Sequence, residues 1–112
     1  MNMNVLEVDG GITHVLLDGR LDIMGAQEID LKFNILAGSK NKLVIDLEKV
    51  SFLASMGVRT LMVGAKTVTR KGGRMVVCGA DENVDKVLRM TGFDEVVTIC
   101  PDFPAALAAL SG

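Results

Sequence analysis

The sequence contains no tryptophan and no tyrosine, and among its 112 residues there are only four phenylalanines and one histidine. A chain so poor in aromatics has few rings on which bases could stack, and its net charge of -2 supplies no broad basic field for a phosphate backbone. Nucleic-acid binding is therefore not expected. With a single histidine, His14, set between Thr13 and Val15 in a strand-like run, the usual general base is scarce, and His14 reads as an ordinary strand residue. The two cysteines, Cys78 and Cys100, match no metal or redox spacing and are expected to be reduced, buried thiols. Long apolar runs are also missing. Despite a mean hydropathy of +0.38, a stretch such as Ala105 to Leu110 is far below the ~20 residues of a membrane span. The start, Met1-Asn2-Met3-Asn4, has no cationic, apolar signal-like pattern, so a cytoplasmic protein without membrane insertion is expected.

What is present is material for a core. Apolar residues make up 49% of the chain and charged residues 23%, a balance that rules out intrinsic disorder. The length suits one domain, residues 1–112, with no internal repeat, linker or low-complexity segment.

Val5 to Val8 and Ile12 to Leu17 read as strands joined through Asp9-Gly10-Gly11, a hairpin turn, with the second strand closing at Asp18-Gly19. Met24 to Leu36 places Ile29, Phe33 and Leu36 at helical spacing, with Gly38 as an αL cap. Leu43 to Leu47, opened by Lys42, is a β-branched run of the kind covered on both faces, hence the central strand, and Val50 to Ala54 is a short apolar link. Ser55 is the expected N-cap of a helix reaching about Lys71, striped by Val58, Leu61, Met62, Ala65 and Val68. After Gly72-Gly73 come a strand over Arg74 to Cys78, a helix over Asp81 to Met90 ending at Gly92, and a strand over Val96 to Cys100. An alanine-rich helix over Ala105 to Leu110, with proline in its first turn, closes the chain. This order predicts an α/β fold: a mixed β-sheet that begins with an antiparallel hairpin and continues in alternating strands and helices, flanked by about four helices.

Few residues in this pattern suggest chemistry. Asp46, Glu48, Asp81, Glu82 and Asp85 fall at separate element ends, so no metal site is expected, and neither glycine pair lies in a phosphate-loop context. No cofactor is implied. Every charged residue from Arg59 to Arg74 is basic, which fits a solvated helix face with cations near its C-terminus. The informative stretch is Leu47 to Arg59. A phosphate at Ser55 would meet the unpaired amides of a helix start, and Gly57 admits close backbone approach to that first turn.

These residues resemble the signature of STAS-domain anti-sigma factor antagonists, or anti-anti-sigma factors. The resemblance rests on Asp46-Leu47, Val50-x-Phe52-Leu53, Ser55 and Gly57. It extends through Gly19-Arg20-Leu21-Asp22, Gly72-Gly73 with Met75 to Cys78, and Val87-Leu88-x-Met90-Thr91-Gly92-Phe93, covering essentially the whole chain. Ala54 departs from the family's aspartate beside the phosphorylated serine, and Met56 from its small hydroxyl residue.

The resemblance implies a STAS-like fold and a non-enzymatic switch in which Ser55 is the phosphoacceptor. It also implies a contact surface made of Asp22, Phe52, Leu53, Ala54, Ser55, Met56, Gly57 and Arg59. The implied partners are a kinase-type anti-sigma factor of the GHKL class, bound when Ser55 is unmodified and released on its phosphorylation, and a phosphatase that restores the serine. The free protein is expected to be a monomer. The alternative is a STAS module that packs on a transporter or another regulatory complex and is never phosphorylated; a small nucleotide-binding or hydrolytic enzyme would lack any phosphate loop.

Overall fold

The computed structural model describes residues 1–111. β1 (Asn2–Val8) and β2 (Ile12–Leu21) form the antiparallel hairpin, with Val8 opposite Ile12 and Asn2 opposite Asp18. Gly10 and Gly11 turn the chain at φ +86° and +73°, values that favour glycine. Then follow α1 (Ile23–Ser39), β3 (Lys42–Leu53), α2 (Ser55–Arg70), β4 (Arg74–Cys78), α3 (Glu82–Met90), a 3-10 turn (Phe93–Glu95), β5 (Thr98–Cys100) and α4 (Phe103–Ser111). The sheet order is β1-β2-β3-β4-β5, with every pair after the first parallel. The expected α/β architecture, mixed sheet and four helices are all present.

β3 is the middle strand, and its run of apolar residues reflects burial on both sides. Leu43, Ile45 and Leu47 enter the core under α1, α2 and α3, where Phe33, Leu61, Leu88 and Phe93 are fully buried. Val44 faces the other way, joining Ile12, Val76, Cys78 and Cys100 beneath Ala106 and Leu110 of α4. Both thiols are free and buried, and burial pushes that of Cys78 up to about 12.

Several element ends differ from expectation. β2 does not close at Asp18-Gly19 but continues to Leu21, through register shifts between Leu16 and Asp18 and between Gly19 and Arg20; Gly19 sits at φ +123°. Residues 50–53 are not a link: they extend β3, because the prolonged β2 supplies Gly19, Arg20 and Leu21 as partners for Val50, Phe52 and Leu53. Gly38 is not an αL cap. α1 runs on to Ser39, whose hydroxyl donates to the Ile35 and Leu36 carbonyls at 3.0 and 3.3 Å, and the Lys40 amide closes the end on Leu36. The last strand is shorter than Val96 to Cys100, since the 3-10 turn and Val96 carry the chain to Thr98. α4 is longer than Ala105 to Leu110, and Asp102 opens it by accepting from the Ala105 amide at 3.0 Å.

Candidate functional site

The long β2 and β3 end side by side, and their carboxyl ends are the place where an open parallel sheet offers a surface to ligands. The Ala54 amide donates to the Leu21 carbonyl at 3.0 Å, tying the two strand ends together just before α2 begins. That bond fixes Ala54 in an extended conformation, φ -104° and ψ 168°, and its carbonyl accepts the first helical bond, from the Val58 amide at 3.1 Å. Ala54, not Ser55, is therefore the N-cap of α2, and no side chain caps the helix. Ser55 is its first helical residue. It is exposed, and its hydroxyl holds none of the hydrogen bonds among the described residues, so the oxygen is accessible and uncommitted.

The expected site residues divide into a surface and its support. Phe52, Ser55, Met56 and Arg59 are exposed, Phe52 and Met56 at 41% and 39%, and Ala54 and Asp22 are half-buried. Leu53 is buried at 4%, and Gly57 is buried too. A Cβ on Gly57 would lie 2.5 Å from the Leu21 carbonyl oxygen and 2.9 Å from Leu53 Cδ1, so the lack of a side chain lets α2 start flush against the end of β2. These two residues shape the turn from beneath.

Asp22 caps α1, accepting from the Gly25 amide at 2.8 Å through Oδ1. That bond, seconded by Arg20, holds its carboxyl below the usual carboxylate range. Arg20 reaches Asp22 Oδ2 at 3.4 Å and lies 4.3 Å over the Phe52 ring, joining the two strand ends on the outside. Sequence reasoning placed Asp22 and Phe52 at the site but did not foresee this link; a cation next to Asp22, paired in register with an exposed aromatic, is the signal that would have found it.

Grooves flank the turn. One of about 220 Å³ runs between α1 and α2 and is lined by Ala26, Gln27, Asp30, Met56 and Thr60. Another of about 290 Å³ separates the end of β3 from α3, between Phe52, Leu53, Asn83 and Val87. In a hollow of about 340 Å³ beside Cys100, Arg89 meets Asp85 at 2.9 Å.

His14 has a role the sequence did not reveal. Its Nε2 lies 2.8 Å from Asp46 Oδ2, and its ring stacks on Phe103 of α4 with centroids 4.0 Å apart. Asp46 is thus not an element-end carboxylate: it sits within β3, buried, with Oδ1 accepting from the Glu48 amide at 3.0 Å. The polar contact joins β2 to β3, the stack on Phe103 links α4 to them, and neither is part of the Ser55 turn. Among the described residues, no group of three or more His, Cys, Asp or Glu could hold a metal ion, and no helix is long and apolar enough to cross a membrane.

Comparison with known proteins bears on the family and the fold. The chain is similar to the anti-sigma F factor antagonist of Paenibacillus polymyxa, 26% identical over 113 residues that cover 98% of this chain and 97% of that relative. Its structure is similar to the crystal structure of an anti-sigma factor antagonist from Mycobacterium paratuberculosis, with a TM-score of 0.89, 26% identity and coverage of 99% of this chain and 94% of the other. The fold alone is shared with the phosphorylated form of the Bacillus cell fate determinant SpoIIAA, at a TM-score of 0.68 and 19% identity over 88% of this chain and 90% of that one. The STAS domain model matches residues 4–106, from β1 into α4, and the chain belongs to the STAS domain family.

Proposed function

We propose that this protein is an anti-sigma factor antagonist whose grip on a kinase-type anti-sigma factor is switched by phosphate on Ser55. The observation that carries this reading is the state of that hydroxyl: exposed, free of hydrogen bonds among the described residues, and mounted on the first turn of α2 where β2 and β3 are tied together. Around it Phe52 and Met56 present apolar surface, and Asp22 and Arg59 present charge. This is a small, mixed patch of the kind a partner covers, with grooves on either side to receive protruding side chains.

The unmodified serine lies inside the contact. Phosphorylation adds about -1.5 to -2 charges there, and the partner must then desolvate a dianion to bind. The anti-sigma factor is released and recaptures its sigma factor; a phosphatase restores the serine and the cycle resumes. The protein's own part is binding, with the phosphoryl chemistry supplied by the partners.

The experiment is to incubate the protein with ATP and a kinase-type anti-sigma factor and to follow its mass. One phosphate on the parent chain and none on Ser55→Ala is the expected result. An unmodified chain that stays bound to its partner would instead identify a STAS module that does not switch, and a phosphate retained by Ser55→Ala would move the acceptor elsewhere.

A further inference from the structure

We propose that Arg59 is the internal counter-ion of a phosphate on Ser55, so that phosphorylation withdraws this guanidinium from the partner as it adds negative charge. The inference rests on the reading of Ser55 as phosphoacceptor and concerns where the new charge goes.

Ser55 and Arg59 are both exposed on α2 and four residues apart, so they are neighbours on one helix flank with Cβ atoms roughly 5–6 Å apart. A phosphate extends the serine toward solvent, and an arginine side chain is long enough to meet it with two parallel N–H donors. Among the described residues Arg59 enters no ion pair and no hydrogen bond, so meeting a phosphate breaks nothing. The competing cation is Arg20, and it is engaged: it lies 4.3 Å over Phe52 and 3.4 Å from Asp22, the cap of α1. Moving Arg20 to the phosphate would give up both contacts, so the free guanidinium wins.

The local charge balance points the same way. α2 carries no carboxylate, and position 54, directly before the serine, is alanine. Beside this turn stand Asp30 in the groove and Asp22, whose carboxylate is already held by the Gly25 amide and Arg20, while α3 presents Asn83 and Val87 to the other groove. A dianion on Ser55 therefore has one cation of its own helix within reach, Arg59, because Lys66 and Arg70 lie three or more turns further on, and it has the first-turn amides beside it. In the unmodified protein the same guanidinium is free to meet an acidic group on the anti-sigma factor. Phosphorylation thus acts twice on the contact surface, adding a dianion and removing a cation.

The test uses the full chain with phosphoserine installed synthetically at position 55, and reads the second ionisation of the phosphate by phosphorus NMR across pH at low salt. A neighbouring cation favours the dianion, so the phosphate should ionise at lower pH in the parent than in Arg59→Gln. The expected difference is about 0.3 unit or more, equivalent to about 0.4 kcal/mol and of the size measured for exposed pairs at this spacing. Arg59→Lys should retain part of the difference, and Arg20→Gln should titrate like the parent. Coincident curves for the parent and Arg59→Gln, or a shift produced by Arg20→Gln in place of Arg59→Gln, would overturn the proposal. Because no kinase is needed to place the phosphate, such a failure would leave Ser55 as acceptor intact. Conversely, a chain that no kinase modifies would still show the Arg59 effect.

Discussion

Replacing Gly57 by alanine tests whether α2 starts flush against β2. Intrinsic helix propensity alone favours the change by about 1 kcal/mol. The structure opposes it: the new Cβ would lie 2.5 Å from the Leu21 carbonyl oxygen, 2.7 Å from Leu21 Cγ and 2.9 Å from Leu53 Cδ1. The carbonyl cannot give way cheaply, because it accepts from the Ala54 amide at 3.0 Å and belongs to a strand paired with β3. Overpacking of this kind costs roughly 1–3 kcal/mol, and contact with backbone puts it toward the upper end. The net expectation is a loss of about 1–2 kcal/mol, or roughly 4–8 °C in melting temperature for a domain of this size. Gly38→Ala is the matched control, since it is also helical but a Cβ there meets nothing within 4 Å. It should gain about 1 kcal/mol, raising the melting temperature by roughly 4 °C. Calorimetric melts of the two variants beside the parent decide the matter. A Gly57→Ala protein as stable as the parent, or a pair of variants that shift the same way, would refute the packing described for the Ser55 turn.

Other consequences are as open to measurement. Because Ser55 caps nothing, Ser55→Ala should change stability by less than about 0.5 kcal/mol in a urea titration, whereas an N-cap serine would cost about 1 kcal/mol. His14→Ala leaves the Asp46 carboxylate buried without its partner and removes the stack on Phe103, so it should cost about 3 kcal/mol and speed amide exchange in α4; a loss below 1 kcal/mol would contradict the pairing. The Asp22 carboxyl is held below 3.8 by its bond to the Gly25 amide, so its contribution to stability is complete above that pH and is lost as pH falls through the lower folded-state value. The Gly25 amide resonance should therefore titrate below 3.8, and a midpoint at or above that value would remove the cap.

Periodicity and turn residues made the order of strands and helices legible, because burial on both faces of β3 leaves its mark as Leu43-Val44-Ile45 and the stripe of α2 repeats at helical spacing. Boundaries were less so wherever a distant segment decides them. Glu48 and Lys49 break the apolar run and suggest a strand end, yet β3 continues to Leu53 because the bulged end of β2 reaches it. Serine is the better intrinsic cap than alanine, and the tertiary bond from the Ala54 amide to Leu21 overrides that preference, freeing Ser55 as a result. The run from Phe52 to Arg59 could be singled out in the sequence as the candidate site. Its division into exposed Ser55 and Met56 above buried Leu53 and Gly57 needed the packing of β2 beneath them. The pairing of His14 with Asp46 joins residues 32 apart in sequence, with no local signal except a carboxylate inside the apolar run from Leu43 to Leu47.

The most direct test of the switch is a calorimetric titration of the kinase-type anti-sigma factor with the unmodified protein and with the same chain carrying phosphoserine at position 55. Forcing a dianion into a desolvated contact costs roughly 2–5 kcal/mol, so the phosphorylated chain should bind about thirty-fold to several thousand-fold more weakly. Equal affinities for the two forms would contradict the account at its centre.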